Sequence, residues 1–140
     1  MKIILPFHQK ISEPVKSWAE IKADALAMRA DLASGAYLAG EDKRQPELWR
    51  GVFAVAHPQV SDQPKRFFVL NQNWPFIKQT FRHYVIINPE ILAAEGSVRE
   101  LEGCLSCPLK GQVKMERAEK ITVFYWVKGW FGLSKRYLEF

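Results

Sequence analysis

A chain of 140 residues that is 48% apolar and 25% charged is one domain by length, with enough apolar material for a real core; disordered and fibrous classes are excluded. Its formal charge of +5 favours polyanions such as RNA or a ribosome surface, but no Lys/Arg run exceeds two residues, so the charge reads first as a solvated basic surface. No stretch approaches the roughly 18 apolar residues of a membrane span, and "MKIILPF" is cut short by Pro6, His8 and Lys10 before it can serve as a signal peptide. A cytoplasmic or organellar location and no membrane partner are expected.

Taken in chain order, Ser12-Glu13-Pro14 reads as a helix start, with Ser as cap and Pro in the first turn. Trp18, Ile21, Ala25, Met28 and Leu32 then recur at helical spacing and mark one buried stripe. Residues 40–50 are a polar loop. Five short runs rich in β-branched and aromatic residues follow: "VFAVA" (52–56), "RFFVL" (66–70), "HYVIIN" (83–88), "ITVFYWV" (121–127) and "KRYLEF" (135–140). Pro58, Pro64, Pro75, Pro89 and Pro108 punctuate them. One helix and then many strands make an α+β domain spanning residues 1–140, with mostly antiparallel strands.

Both cysteines fall in "LEGCLSCPL" (101–109). A Cys104–Cys107 disulfide would close a very tight ring in a chain that reads as cytosolic. A zinc knuckle needs a second ligand pair, and His8, His57 and His83 are scattered. A redox pair belongs at a helix start, not between strands. Two small buried hydrophobes remain as the plain reading, which suits Cys107 best.

"EGCLSCP" (102–108) resembles the second signature of the peptide deformylases, Glu-Gly-Cys-Leu-Ser-x-Pro. "INPEIL" (87–92) and "ERAEKITVFYW" (116–126) resemble the strands that flank it, and "VFAVAHPQ" (52–59) is similar to a degenerate first signature, Gly-x-Gly-Leu-Ala-Ala-x-Gln. The resemblance covers essentially the whole chain. It implies that Cys104 is a thiolate ligand of a catalytic divalent metal, Fe²⁺ or Zn²⁺. It makes Leu105, through its N–H, and Gln59, through its amide, donors to a developing oxyanion. Phe53, Ala54 and Gly103 would line the edge along which an N-formylated nascent peptide pairs. Glu102 would form a buried ion pair with Arg117 that holds the cysteine loop.

Departures accompany the resemblance. Val52 and Ala54 replace the two glycines of the first signature, and His57 replaces an alanine. His57 reads first as an exposed or hydrogen-bonded loop histidine, with a pocket group or substitute ligand as the rival. The third signature, His-Glu-x-x-His on a C-terminal helix, is absent: no histidine follows His83. That pattern would supply two ligands and the general base from one helix face. Three readings follow. The first is a deformylase whose metal helix lies outside these residues. The second is an inactive deformylase-like module binding peptides or the ribosome. The third is an unrelated basic RNA- or ribosome-associated domain. Without that helix, Phe124, Trp126, Tyr137 and Leu138 are expected to form a bare sheet face that a partner chain or a symmetric dimer covers.

Overall fold

The computed structural model describes residues 11–34, 53–73, 77, 79, 82–102 and 113–139. Helix α1 (Trp18–Ser34) is followed by β1 (Ala54–Ala56), a 3-10 turn (His57–Gln59), β2 (Phe67–Leu70), β3 (Val85–Glu95), β4 (Val98–Glu102), β5 (Val113–Arg117), β6 (Lys120–Gly129) and β7 (Gly132–Glu139). Strands β1-β2-β3-β6-β7, in that order, form a five-stranded antiparallel sheet. Strands β4 and β5 pair separately as a two-stranded ribbon. The expected α+β class holds, and the five sheet strands fall on the five expected runs, whereas the β4–β5 ribbon lies outside them.

The stripe on α1 packs as its spacing requires. Ile21, Ala25, Met28 and Leu32 are buried against β1 and β2. Each large side chain removed from water this way contributes about 1.5–3 kcal/mol. In the sheet, Val55, Val69 and Val85 align across β1, β2 and β3, and Phe67, Ile87 and Trp126 align across β2, β3 and β6. These two rows meet the helix. The alternate residues face the other way, where Leu70, Ile86, Tyr125 and Val127 pack with Ile77.

The helix does not begin at Ser12-Glu13-Pro14 as the sequence suggests. That segment is extended, and Glu13 forms an isolated parallel bridge with Lys65. Glu13 N–H donates to the Pro64 carbonyl at 2.9 Å, Arg66 N–H donates to Glu13 at 2.7 Å, and the Lys65 ammonium meets the Glu13 carboxylate at 2.7 Å. Backbone partners from residues 64–66 outcompete the local cap signal. Asn88 then extends the same arrangement. Its Oδ1 accepts Val15 N–H at 2.8 Å and its Nδ2 donates to the Val15 carbonyl at 2.8 Å, so one side chain takes the place of a strand neighbour.

Pro89 does not end β3. Pairing with β2 stops at Ile87, and the register with β6 slips between Ile87 and Glu90. Asn88, at φ 47°, opens a bulge in which the missing proline N–H interrupts no ladder bond. Strand β3 therefore runs well beyond the expected 83–88 segment.

The expected bare face is also corrected. Phe124 pairs with Tyr137 and Val123 pairs with Leu138, so Leu138 lies on the opposite face from the three aromatics. Phe124 sits 5.8 Å edge-on from Trp126 and 5.3 Å from Tyr137, and Trp126 packs against the α1-side core. Of the four, Tyr137 is the strongly exposed one, at 65%.

Candidate active site

Among the described residues, strand β1 forms one end of the sheet order and pairs with β2 alone. Its other edge carries the backbone groups that an extended peptide could pair with. Phe53 precedes it and is exposed, while Ala54 is half-buried. The entry to the strand is fixed by Asn71 N–H, which donates to the Phe53 carbonyl at 2.9 Å. Ala54 pairs with Leu70 and packs against the core on the face away from α1.

Immediately past β1 the chain turns through His57-Pro58-Gln59. Ala56 N–H donates to Gln59 Oε1 at 2.8 Å. That bond ties the amide back to the strand end and makes its NH₂ the donor end. Gln59 is half-buried. An oriented amide donor beside a peptide-pairing edge is the kind of group that stabilises charge on a carbonyl oxygen.

His57 anchors the turn and is not a metal ligand. It is 1% exposed and stacks on Phe67 with ring centroids 4.7 Å apart. Lys65 N–H donates to Nδ1 at 2.9 Å, so Nδ1 is the unprotonated nitrogen. Nε2–H then donates to Asp24 Oδ2, 3.2 Å away. Burial lowers the pKa of His57, against the opposing pull of Asp24. Both ring nitrogens are engaged, which leaves no lone pair for a cation. The expected loop histidine is hydrogen-bonded as read, but buried rather than exposed. Asp24, in α1, went unnoticed in the sequence; its place beside the Ile21/Ala25/Met28 stripe was the available signal.

Residues Gly103, Cys104, Leu105 and Cys107, and the side chain of Glu102, lie outside the described residues. Arg117 is exposed, contrary to the burial expected of it. The β4–β5 ladder sets Arg117 opposite Val98 and Glu102 opposite Val113, roughly 13 Å apart along the ribbon at ~3.3 Å per residue. The ladder thus does not bring these two backbone positions together. His83, half-buried ahead of β3, has its pKa lowered by burial and by the charges of Arg136 and Arg82; cationic neighbours make it a poor metal ligand. Among the described residues no group of three or more His, Cys, Asp or Glu side chains could hold a metal ion. The donors among the described residues do not by themselves fit a catalytic metal.

One helix on a five-stranded antiparallel sheet, with a separate two-stranded ribbon, defines an α+β domain. A model of the family "Polypeptide deformylase" matches residues 2–129. The chain is 34% identical over 118 residues to a peptide deformylase of Acidobacterium capsulatum, covering 84% of this chain and 59% of that protein. It is 30% identical over 119 residues to that of Carboxydothermus hydrogenoformans, covering 84% and 62%. The crystal structure of peptide deformylase from Thermotoga maritima superposes with a TM-score of 0.64 at 27% identity, over 96% of this chain and 75% of that one. The chain belongs to the polypeptide deformylase family. It spans about three fifths of the length of the two curated relatives just named.

Proposed function

We propose that these residues form the peptide-binding and oxyanion-stabilising part of a metal-dependent hydrolase that removes the formyl group from N-formylated nascent peptides. The observation that supports it most is the edge strand β1 with Gln59 anchored at its end. In this reading the substrate backbone pairs along Phe53 and Ala54, with Gly103 alongside. The Gln59 amide and the Leu105 N–H donate to the oxygen on which charge develops. Cys104 supplies one thiolate to a divalent metal of the kind the family generally uses, Fe²⁺ or Zn²⁺. A divalent metal held there would supply polarisation of the carbonyl and activation of a water. Two further ligands and a general base must come from outside these 140 residues, which contain no His-Glu-x-x-His. The rival reading is an inactive module that binds peptides or the ribosome.

Turnover of formyl-Met peptides, together with metal analysis, tests the proposal. The 140-residue chain alone is expected to show neither turnover nor a stoichiometric metal. A form carrying the missing histidine pair should show both. In that form Gln59→Ala should lower kcat about 10²–10³-fold, as loss of one oxyanion donor does. Cys104→Ser should abolish metal binding, while Cys107→Val should cost less than about 1.5 kcal/mol of stability. A completed form that binds formyl peptides but never releases formate would establish the inactive module instead.

A further inference from the structure

Strands β6 and β7 are joined by only two residues, Trp130 and Phe131, between the paired glycines Gly129 and Gly132. Both rings stand wholly in solvent, at 100% and 107% exposure. The turn itself does not call for them. Two-residue loops are ordinarily filled by Asn, Asp and Gly. Here the positive φ falls on Gly132, at 131°, and Asn88 is the one non-glycine with positive φ among the described residues. A Cβ at Gly129 would strike the Ser134 side chain. The flanking glycines meet the backbone's demands, and polar residues at 130 and 131 would close the hairpin equally well.

Charge is arranged behind this tip with one sign. Between Lys120 and Glu139 the sequence has no acidic residue, and its cations are Lys128, Lys135 and Arg136, all exposed. Lys128 lies over the Trp18 ring at 6.0 Å and Lys135 over Trp126 at 5.2 Å, on the helix side of the sheet. Arg136, opposite Tyr125, is on the other side. At ~3.3 Å per residue the two lysines stand roughly 7 and 13 Å behind the aromatic pair. Two rings lead, and cations follow on both faces of the hairpin.

We propose that the Trp130-Phe131 tip, backed by Lys128, Lys135 and Arg136, docks this protein onto an anionic lipid surface. The sequence of layers is that of a bilayer leaflet. Aromatic rings settle at the level of the headgroups and the upper hydrocarbon, and interfacial elements bury their apolar part about 5–10 Å deep. Basic side chains above them meet lipid phosphates and are attracted over about a Debye length. A single-stranded nucleic acid makes a different demand, namely a groove of cations with ring faces laid along it. A projecting tip with its charges set behind it does not meet that demand. No helix of the described residues is long and apolar enough to cross a membrane. Surface contact needs none.

Co-sedimentation of the full chain with phosphatidylcholine vesicles, with and without phosphatidylglycerol, tests the proposal. The chain should pellet with the anionic vesicles, release as salt is raised, and stay in solution with the neutral ones. Trp130→Ser/Phe131→Ser should weaken binding at least about tenfold, and Lys128→Gln/Lys135→Gln should weaken it and flatten its salt dependence. Circular dichroism and thermal melts should show both variants folded like the parent. Absence of pelleting, or equal pelleting of the aromatic variant, overturns the proposal. So does binding to a single-stranded oligonucleotide, lost in that variant, without binding to vesicles.

Discussion

At the scale of single residues, two polar side chains do structural work that their neighbours make necessary. His57 is held neutral by burial, with its pKa below the usual histidine value, and His83 is shifted the same way. The unfolded chain therefore takes up protons at these sites before the folded one does. Their contribution to stability is complete above about pH 6.5 and is lost as pH falls through the lowered folded values. Urea unfolding at pH 7.5 and at pH 5.5 should show a lower midpoint in acid. His57→Gln should cost about 1–3 kcal/mol at the higher pH and remove part of that acid sensitivity. An unchanged pH profile in the variant would show that His57 is not the group responsible. Asn88 combines a left-handed backbone with two hydrogen bonds to Val15. Asn88→Gly should lose the bonds alone, about 1–3 kcal/mol. Asn88→Ala should lose the bonds and add roughly 1–2 kcal/mol of backbone strain. Denaturation midpoints that rank alanine at or above glycine would contradict this account.

Among the elements, α1 and the β4–β5 ribbon differ in what they contribute. Met28 is 0% exposed beneath α1, so Met28→Ala should cost about 2–5 kcal/mol. Arg117 is exposed on the ribbon, opposite Val98. Arg117→Met should cost less than about 1 kcal/mol, as removing an exposed charge from its partners does. A buried ion pair with Glu102 would instead make that loss about 3–5 kcal/mol. The same denaturation series separates the two outcomes. It also tests whether the ribbon's register, rather than an internal charge pair, holds the segment that leads into the cysteine motif.

Across the whole molecule, the sheet divides the core into a helix-covered side and a side packed around Ile77. Strongly exposed apolar residues are dispersed: Ile11 ahead of α1, Leu26 on α1, Ile91 and Leu92 on distal β3, Tyr137 on β7, and the Trp130-Phe131 tip. This distribution replaces the single aromatic face expected from the strand sequences. It sets the candidate peptide edge at β1 and the aromatic tip between β6 and β7 on different parts of the sheet. Peptide binding and surface docking can therefore be disabled separately, with Gln59→Ala for one and Trp130→Ser/Phe131→Ser for the other. Each variant should leave the other property within about twofold, because distant sites without shared partners act nearly additively.

The sequence by itself determined the α+β class, the buried stripe of α1 and the family, because helical spacing, strand composition and the "EGCLSCP" string are local signals. It also showed that the ligands of a His-Glu-x-x-His helix are not among these residues. Tertiary structure decided what depends on long-range partners. Residues 13–15 are extended because 64–66 and Asn88 supply their hydrogen bonds, although the local signal is a helix start. Pro89 continues a strand because the β2 ladder has already ended there. His57 is an anchor because Asp24 and Lys65, distant in sequence, converge on its two nitrogens. Leu138 parts from Tyr137 because adjacent strand residues face opposite ways, and only the ladder tells which face meets the helix. Each of these outcomes was fixed by a partner more than a turn of chain away, which spacing within one segment does not encode.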